Sequence, residues 1–179
     1  ARKPDAGRDR ESVRLMSTGR AQDWFERQGP RAGSRDAQAS DKGLRFQCTL
    51  CGNCCSGSEG YVGFTQDEAK AIAERLGVTL DYFMEHYTHD TRAGRSFIEK
   101  DSDFGKDCVF LDRETIPGKA VCGIYEDRPM QCKTWPFWPY VVNTEHAWRK
   151  SAVGCPGIDR GSKVIKPEEI RIQRARTPM

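Results

Sequence analysis

Histidine is scarce in this 179-residue chain: three are present against eight cysteines. No run of about 18 apolar residues occurs, which excludes a transmembrane helix, and no short apolar N-terminal segment reads as a retained secretory signal. The chain has no Gly-rich phosphate loop of either common type, no G-x-S-x-G elbow and no H-E-x-x-H. Those absences remove the commonest nucleotide-binding, serine-hydrolase and zinc-protease readings. There is no N-x-Ser/Thr sequon either. Apolar material is thin as well, with 37% hydrophobic residues, 31% charged residues and a mean hydropathy of −0.73. The cysteines are counted within that 37%. A thin core with many thiols needs a cross-link or a metal.

Charge divides the chain into three blocks. Residues 1–45 carry +4, residues 46–155 carry −4 with every cysteine, and residues 156–179 carry +3. The expected organisation is a basic extended N-terminal arm (1–45), a cysteine-rich domain (46–160) and a basic C-terminal helix or tail (161–179). The arm is rich in Gly, Ser, Arg and Asp, and should be disordered unless a surface holds it. Trp24 and Phe25 are its only large aromatic residues. They read as an anchor to a partner, with the arginines facing an anionic or polar surface; the alternative is an extension lying on its own domain. The chain begins at Ala rather than Met, as removal of an organelle presequence, or a truncation, would leave it.

Thr65-Gln66-Asp67-Glu68 fits a capping box ahead of Ala69, Ile72, Ala73 and Leu76, with Gly77 as the stop. A second helix is expected after Thr79, burying Leu80, Phe83, Met84 and Tyr87. Residues 96–99, 108–111 and 120–125 read as strands, the last two separated by a Pro117-Gly118 turn. Pro129 suits the start of a short helix carrying Cys132, and Pro167 opens one with Glu168-Glu169 at its positive end. The class is α+β: a small, irregular domain with short helices and a small antiparallel sheet.

The opening thiol run is Cys48-Thr49-Leu50-Cys51-Gly52-Asn53-Cys54-Cys55. A pair spaced by two residues can wrap one metal, and Gly52 lets backbone N–H groups approach the sulfur. A third cysteine two residues on, with the remote Cys155-Pro156, matches the run of bacterial-type iron–sulfur proteins. Cys54 and Cys55, in an extended segment, would point to opposite sides and serve two sites, or one would ligate and the other pack. With Cys108, Cys122 and Cys132, the eight thiols would fill two four-thiolate sites, or one site with spare buried cysteines. A disulfide framework competes, but it favours shorter secreted chains.

Beyond that run come Cys108-Val109-Phe110-Leu111-Asp112, then Cys122-Gly123-Ile124-Tyr125-Glu126-Asp127-Arg128-Pro129. After them stand Cys132-Lys133-Thr134-Trp135-Pro136-Phe137 and Cys155-Pro156-Gly157-Ile158. In this order, over residues 46–160, the chain resembles the YkgJ-like cysteine-cluster family. The resemblance implies a domain that chelates zinc or iron and has a largely undefined biochemical role. Some members are called iron–sulfur oxidoreductases, and a lysine N-methylase of flagellin shares the cysteine pattern. The basic arm lies outside that pattern.

Arg128 and Lys133 flank Cys132 and could give N–H donors and positive charge to a thiolate centre. Arg128 could equally pair with Glu126 or Asp127, or cap the helix. Trp135, Phe137, Trp138 and Tyr140, stiffened by Pro136 and Pro139, read as a dry lid or core plug. His86 and His89 could share a helix face, most simply as a partly exposed edge. Asp101, Asp103 and Asp107 read as a solvated acidic loop.

The expected cofactor is an iron–sulfur cluster (4Fe–4S) or Zn²⁺, held by Cys48, Cys51, Cys54, Cys55, Cys108, Cys122, Cys132 and Cys155. Three function classes follow. A structural or assembly subunit would use residues 1–45 and 161–179 to attach to a larger protein or ribonucleoprotein complex, RNA included. An electron-transfer protein and a methylase- or oxidoreductase-type enzyme are the alternatives, and no catalytic group stands out. The thiols point to a reducing compartment: a mitochondrial matrix, a plastid stroma or a bacterial cytoplasm.

Overall fold

The computed structural model describes residues 22–27 and 42–178. Helix α1 (Gln66–Leu76) starts at the expected capping box. Thr65 Oγ1 accepts from the Glu68 amide at 3.2 Å, and a Glu68 carboxylate oxygen accepts from the Thr65 amide at 2.7 Å. It stops at Gly77, whose φ of 68° suits a residue without a Cβ. Helix α2 (Leu80–His86) is capped by Thr79 and buries Phe83.

The β structure is shorter and more divided than a single sheet. Strand β1 (Leu44–Arg45) pairs with β8 (Val164–Ile165). Between them lie three antiparallel pairs: β2 (Thr88–Thr91) with β3 (Gly94–Phe97), β4 (Glu99–Ser102) with β5 (Gly105–Cys108), and β6 (Leu111–Asp112) with β7 (Val121–Cys122). The Pro117-Gly118 turn does lie between β6 and β7. His89 sits in β2, while His86 ends α2, so the two histidines do not share a helix face. Tyr87 ends α2 in place of carrying it onward, because Thr88 pairs with Phe97.

Four further α-helices follow among the described residues: α3 (Met130–Lys133), α4 (Pro139–Val142), α5 (Glu145–Ser151) and α6 (Pro167–Arg176). Asp107 departs from the solvated-loop reading. It is 1% exposed on β5, and its carboxylate takes Arg113 Nε at 2.8 Å. Asp101 keeps that reading, exposed on β4 and paired with Lys106 at 2.7 Å.

Buried side chains form two separate cores. One is continuous in sequence, from Ala69, Ile72, Ala73 and Phe83 to Phe97, Phe110 and Ile124. The other gathers distant segments: Phe25, Leu44, Phe137, Val142, Trp148 and Ile170 are among its members. Phe25 is fully buried there, and the Trp24 indole donates to the Val142 carbonyl at 2.6 Å. Asp23 accepts from Arg171 and Arg174, each at 3.0 Å, and Glu26 also pairs with Arg171.

Trp24-Phe25 is therefore not a partner anchor: the alternative of an extension lying on its own domain holds for residues 22–27. The reason is packing, since Phe25 is a fully buried member of the second core beside Phe137 and Trp148. Helix α6 forms where expected, but it belongs to the same core through Ile170, and two of its arginines are held internally. The remainder of the arm lies outside the described residues.

If Phe25 is core, Phe25→Ala should cost about 3–5 kcal/mol of unfolding free energy, the range for large-to-small changes at a buried aromatic. Denaturant titration of the full chain checks this; an unchanged midpoint would return the segment to an external role.

Candidate metal centre

The cysteine loop is shaped by two left-handed residues. Leu50 has φ 56° and Gly52 φ 79°. Between them the chain docks on the β6–β7 loop, where the Ala120 amide donates to the Leu50 carbonyl at 2.7 Å. A Cβ on Gly52 would stand 2.7 Å from Ala120 Cβ, so this glycine is needed for close approach as well as for its φ. Asn53–Cys55 then forms a 3₁₀ turn closed by the Cys55 amide on the Gly52 carbonyl at 2.8 Å.

That turn corrects the reading of the adjacent cysteines. In an extended strand Cys54 and Cys55 would face apart. In a 3₁₀ turn successive side chains are rotated far less than half a revolution. Their sulfurs lie 3.6 Å apart, and both line one cavity.

The remaining cysteines arrive on separate elements. Cys108 ends β5, and Cys122 lies on β7 opposite Leu111. Cys132 is on α3, whose first amide, Met130 N, donates to Glu68 Oε1 at 2.7 Å. One carboxylate therefore completes the capping box of α1 and starts α3. Gln131, beside Cys132, fixes α3 from the other side through the Gly63 amide (2.9 Å) and the Tyr61 carbonyl (2.8 Å). Cys155 comes to the cysteine loop because Phe46 bridges Ile158, Gln47 N donates to the Gly157 carbonyl at 3.0 Å, and Asn53 Nδ2 donates to the Gly154 carbonyl at 3.0 Å.

Six cysteines, Cys48, Cys54, Cys55, Cys108, Cys122 and Cys132, line a cavity of about 100 Å³. Its walls come from both cores: Phe97, Phe110 and Ile124 from one, Trp135 and Trp138 from the aromatic loop packed on the other. Cys51 and Cys155 are not in the lining. All eight are free thiols. Among the described residues, no three Cys, His, Asp or Glu side chains are already gathered as an ion's ligand set. The sulfurs stand around the walls of a space rather than about a point.

Arg128 also lines the cavity, with its guanidinium 3.8 Å from the Tyr125 ring centroid and Nε donating to the Tyr125 carbonyl at 3.0 Å. Lys133 is exposed and outside the lining. Of the aromatic loop, Trp135 and Trp138 face the cavity, Phe137 is core, and Tyr140 is 67% exposed.

Electrostatics follow from these positions. Burial pushes the Cys108 thiol up to about 11 and the Cys132 thiol to about 12, and raises Cys122 too. Cys54 is drawn down to about 7, first by its hydrogen bond with Cys55, and Cys55 is raised by the same contact. Thiols sunk in an apolar wall stay protonated unless a cation compensates their charge. A thiophilic metal is such a cation.

The donor set fits one. Trp135 Nε1 is buried without a hydrogen-bond partner, beside Cys155, whose thiol is raised by burial. A buried, unspent donor beside a sulfur suits a thiolate better than a thiol.

A small α+β domain lined by thiols around one cavity is a metal-chelating architecture. The family model named CxxCxxCC, described as "Putative zinc- or iron-chelating domain", matches residues 47–156. The chain belongs to this family, as the resemblance read from its motifs implied. No solved structure matches it.

Reading residues in sequence missed Gln131, Asp107 and Arg113, whose partners lie across loops and leave no periodic or motif signal. Gly52 was legible, though for a different reason from its contact with Ala120. Gly52→Ala should lower the thermal midpoint by forcing both a left-handed alanine and the Ala120 clash, at about 1–3 kcal/mol. Adding Ala120→Gly should recover the steric part alone, so the double variant should lie between wild type and Gly52→Ala.

Proposed function

We propose that these cysteines act as thiolate ligands of a metal centre that joins the two cores, in a protein that serves as a structural or assembly subunit of a larger complex. The observation that carries this reading is the placement of six cysteines around one cavity walled by both cores. A metal there would supply four or more strong bonds between segments that otherwise share little apolar contact, and its binding free energy would be folding free energy. Cys51 and Cys155 complete the ligand pool next to Cys54.

An iron–sulfur occupant is favoured over a lone zinc ion. The cavity of about 100 Å³ exceeds the about 10–15 Å³ needed to seat one water, and no histidine lines it. A 4Fe–4S cluster is a multi-atom occupant that thiolates alone can hold, and the three-cysteine run with a remote Cys-Pro suits it. The attachment reading draws on Arg160, Lys163, Lys166 and Arg176, exposed toward the C-terminal end, which suit an acidic protein surface or RNA. The eight unpaired thiols support the reading of a reducing compartment.

Anaerobic purification of the full chain tests the centre. Iron with acid-labile sulfide and a brown colour is expected; stoichiometric zinc in a colourless protein would keep the thiolate centre and replace the cluster. Protein that folds with neither metal overturns the proposal. Stripping the metal with a chelator should abolish near-UV circular dichroism, and Cys132→Ser should fail to fold. A Cys132→Ser protein that folds but is merely inactive would favour the redox or enzyme class.

A further inference from the structure

Against the cysteine turn, outside the cavity lining, lies a second cation that sequence spacing does not reveal. Arg113 is held on Asp107 by Nε at 2.8 Å and Nη2 at 3.2 Å. The Asp107 side chain is 2% exposed and that of Arg113 23%.

From this fixed base Arg113 reaches into the loop. Nη2 donates to Ser56 Oγ at 2.6 Å, and Ser56 Oγ in turn donates to the Gly52 carbonyl at 3.0 Å. A Cβ on Gly52 would lie 3.1 Å from Nη1. The guanidinium is also capped by Phe104, whose ring centroid is 4.0 Å away. The loop's exit is pinned beside it by Gly57 and Lys106, which exchange backbone hydrogen bonds at 3.2 and 2.7 Å.

The backbone between Cys51 and Cys55 is thus fastened to a buried ion pair. One face of that cation is spent on Asp107; the other is turned to the turn that carries the thiols.

We propose that Arg113 is a positioning residue for the metal centre, holding the Cys51–Cys55 turn in place and supplying the positive charge that steadies its thiolates. This deepens the thiolate-centre reading and rests on it. A site held by sulfur alone is net negative once a divalent ion or an oxidised cluster is bound, and two guanidiniums, Arg128 at the cavity wall and Arg113 against the loop backbone, offset that charge. Arg113 cannot lose its proton, so the charge is constant. The Asp107 carboxylate fixes the fork's direction in the way a carboxylate behind a ligating histidine fixes its ring.

The test uses the full chain, purified anaerobically with its metal and challenged with graded chelator. Arg113→Gln should release metal at about 10–100-fold lower chelator concentration, the loss seen when a supporting group around a metal site is removed. Arg113→Lys keeps the charge without the fork and should stay within a few-fold of wild type. Equal loss in both variants would reduce Arg113 to a steric brace, and unchanged retention in both would remove it from the centre; either result overturns the inference. Should Arg113→Gln fail to fold, Arg113→Lys decides alone, with a tenfold or greater loss counting against the inference. Wild-type protein that carries no metal sinks the thiolate-centre reading and this one with it. A metal-loaded wild type with insensitive variants sinks only this one.

Discussion

Everything in this fold turns on a shortage: two small cores, neither large enough to hold a domain by itself, meet around thiols. One core has ten buried members among the described residues and the other seven. Leu111 and Ala120 are buried but belong to neither, and both line the cavity between them. Where a larger protein would continue its apolar interior, this one places six cysteines. Domains with so little to bury rely on cross-links or metals. The scarcity of apolar residues and the excess of cysteine are the same design seen from two sides.

The local elements around the site are arranged to bring its cysteines together without long regular structure. Glu68 caps one helix and begins another, so the helix with Cys132 takes its position from the start of α1. Short antiparallel pairs carry Cys108 and Cys122, and a single bridge at Phe46–Ile158 brings Cys155 beside the first loop. Each ligand-bearing segment is fixed by one or two specific hydrogen bonds. That is economical in chain length, and it leaves the centre to supply the remaining cohesion.

What sequence could reveal divides along the same line. The capping box at Thr65 and Glu68, the stop at Gly77 and the helix openings at Pro129 and Pro167 are local, and they were legible because neighbours in sequence make them. The cysteine motif was legible because ligand spacing is itself local. The direction of Cys54 and Cys55 was misread, since one turn of 3₁₀ helix replaces an extended step and nothing in the residue types announces it. Trp24 and Phe25 were read outward because their composition resembles a disordered tail; their partners stand more than a hundred residues away. Asp107 looked like one of three solvated acids until β5 turned it inward.

That long reach has a consequence for the order in which the molecule can be made. The seven-member core is a continuous stretch and can close as soon as it has been synthesised. The other cannot, because Asp23 and Arg171, 148 residues apart, are both part of its packing. Cys155 likewise emerges long after Cys48. On the ribosome, then, half of the molecule waits with its thiols exposed while the other half is already folded. Any centre that draws on both Cys48 and Cys155 can be completed only after both segments have been made, so metal insertion would follow the folding of the continuous core.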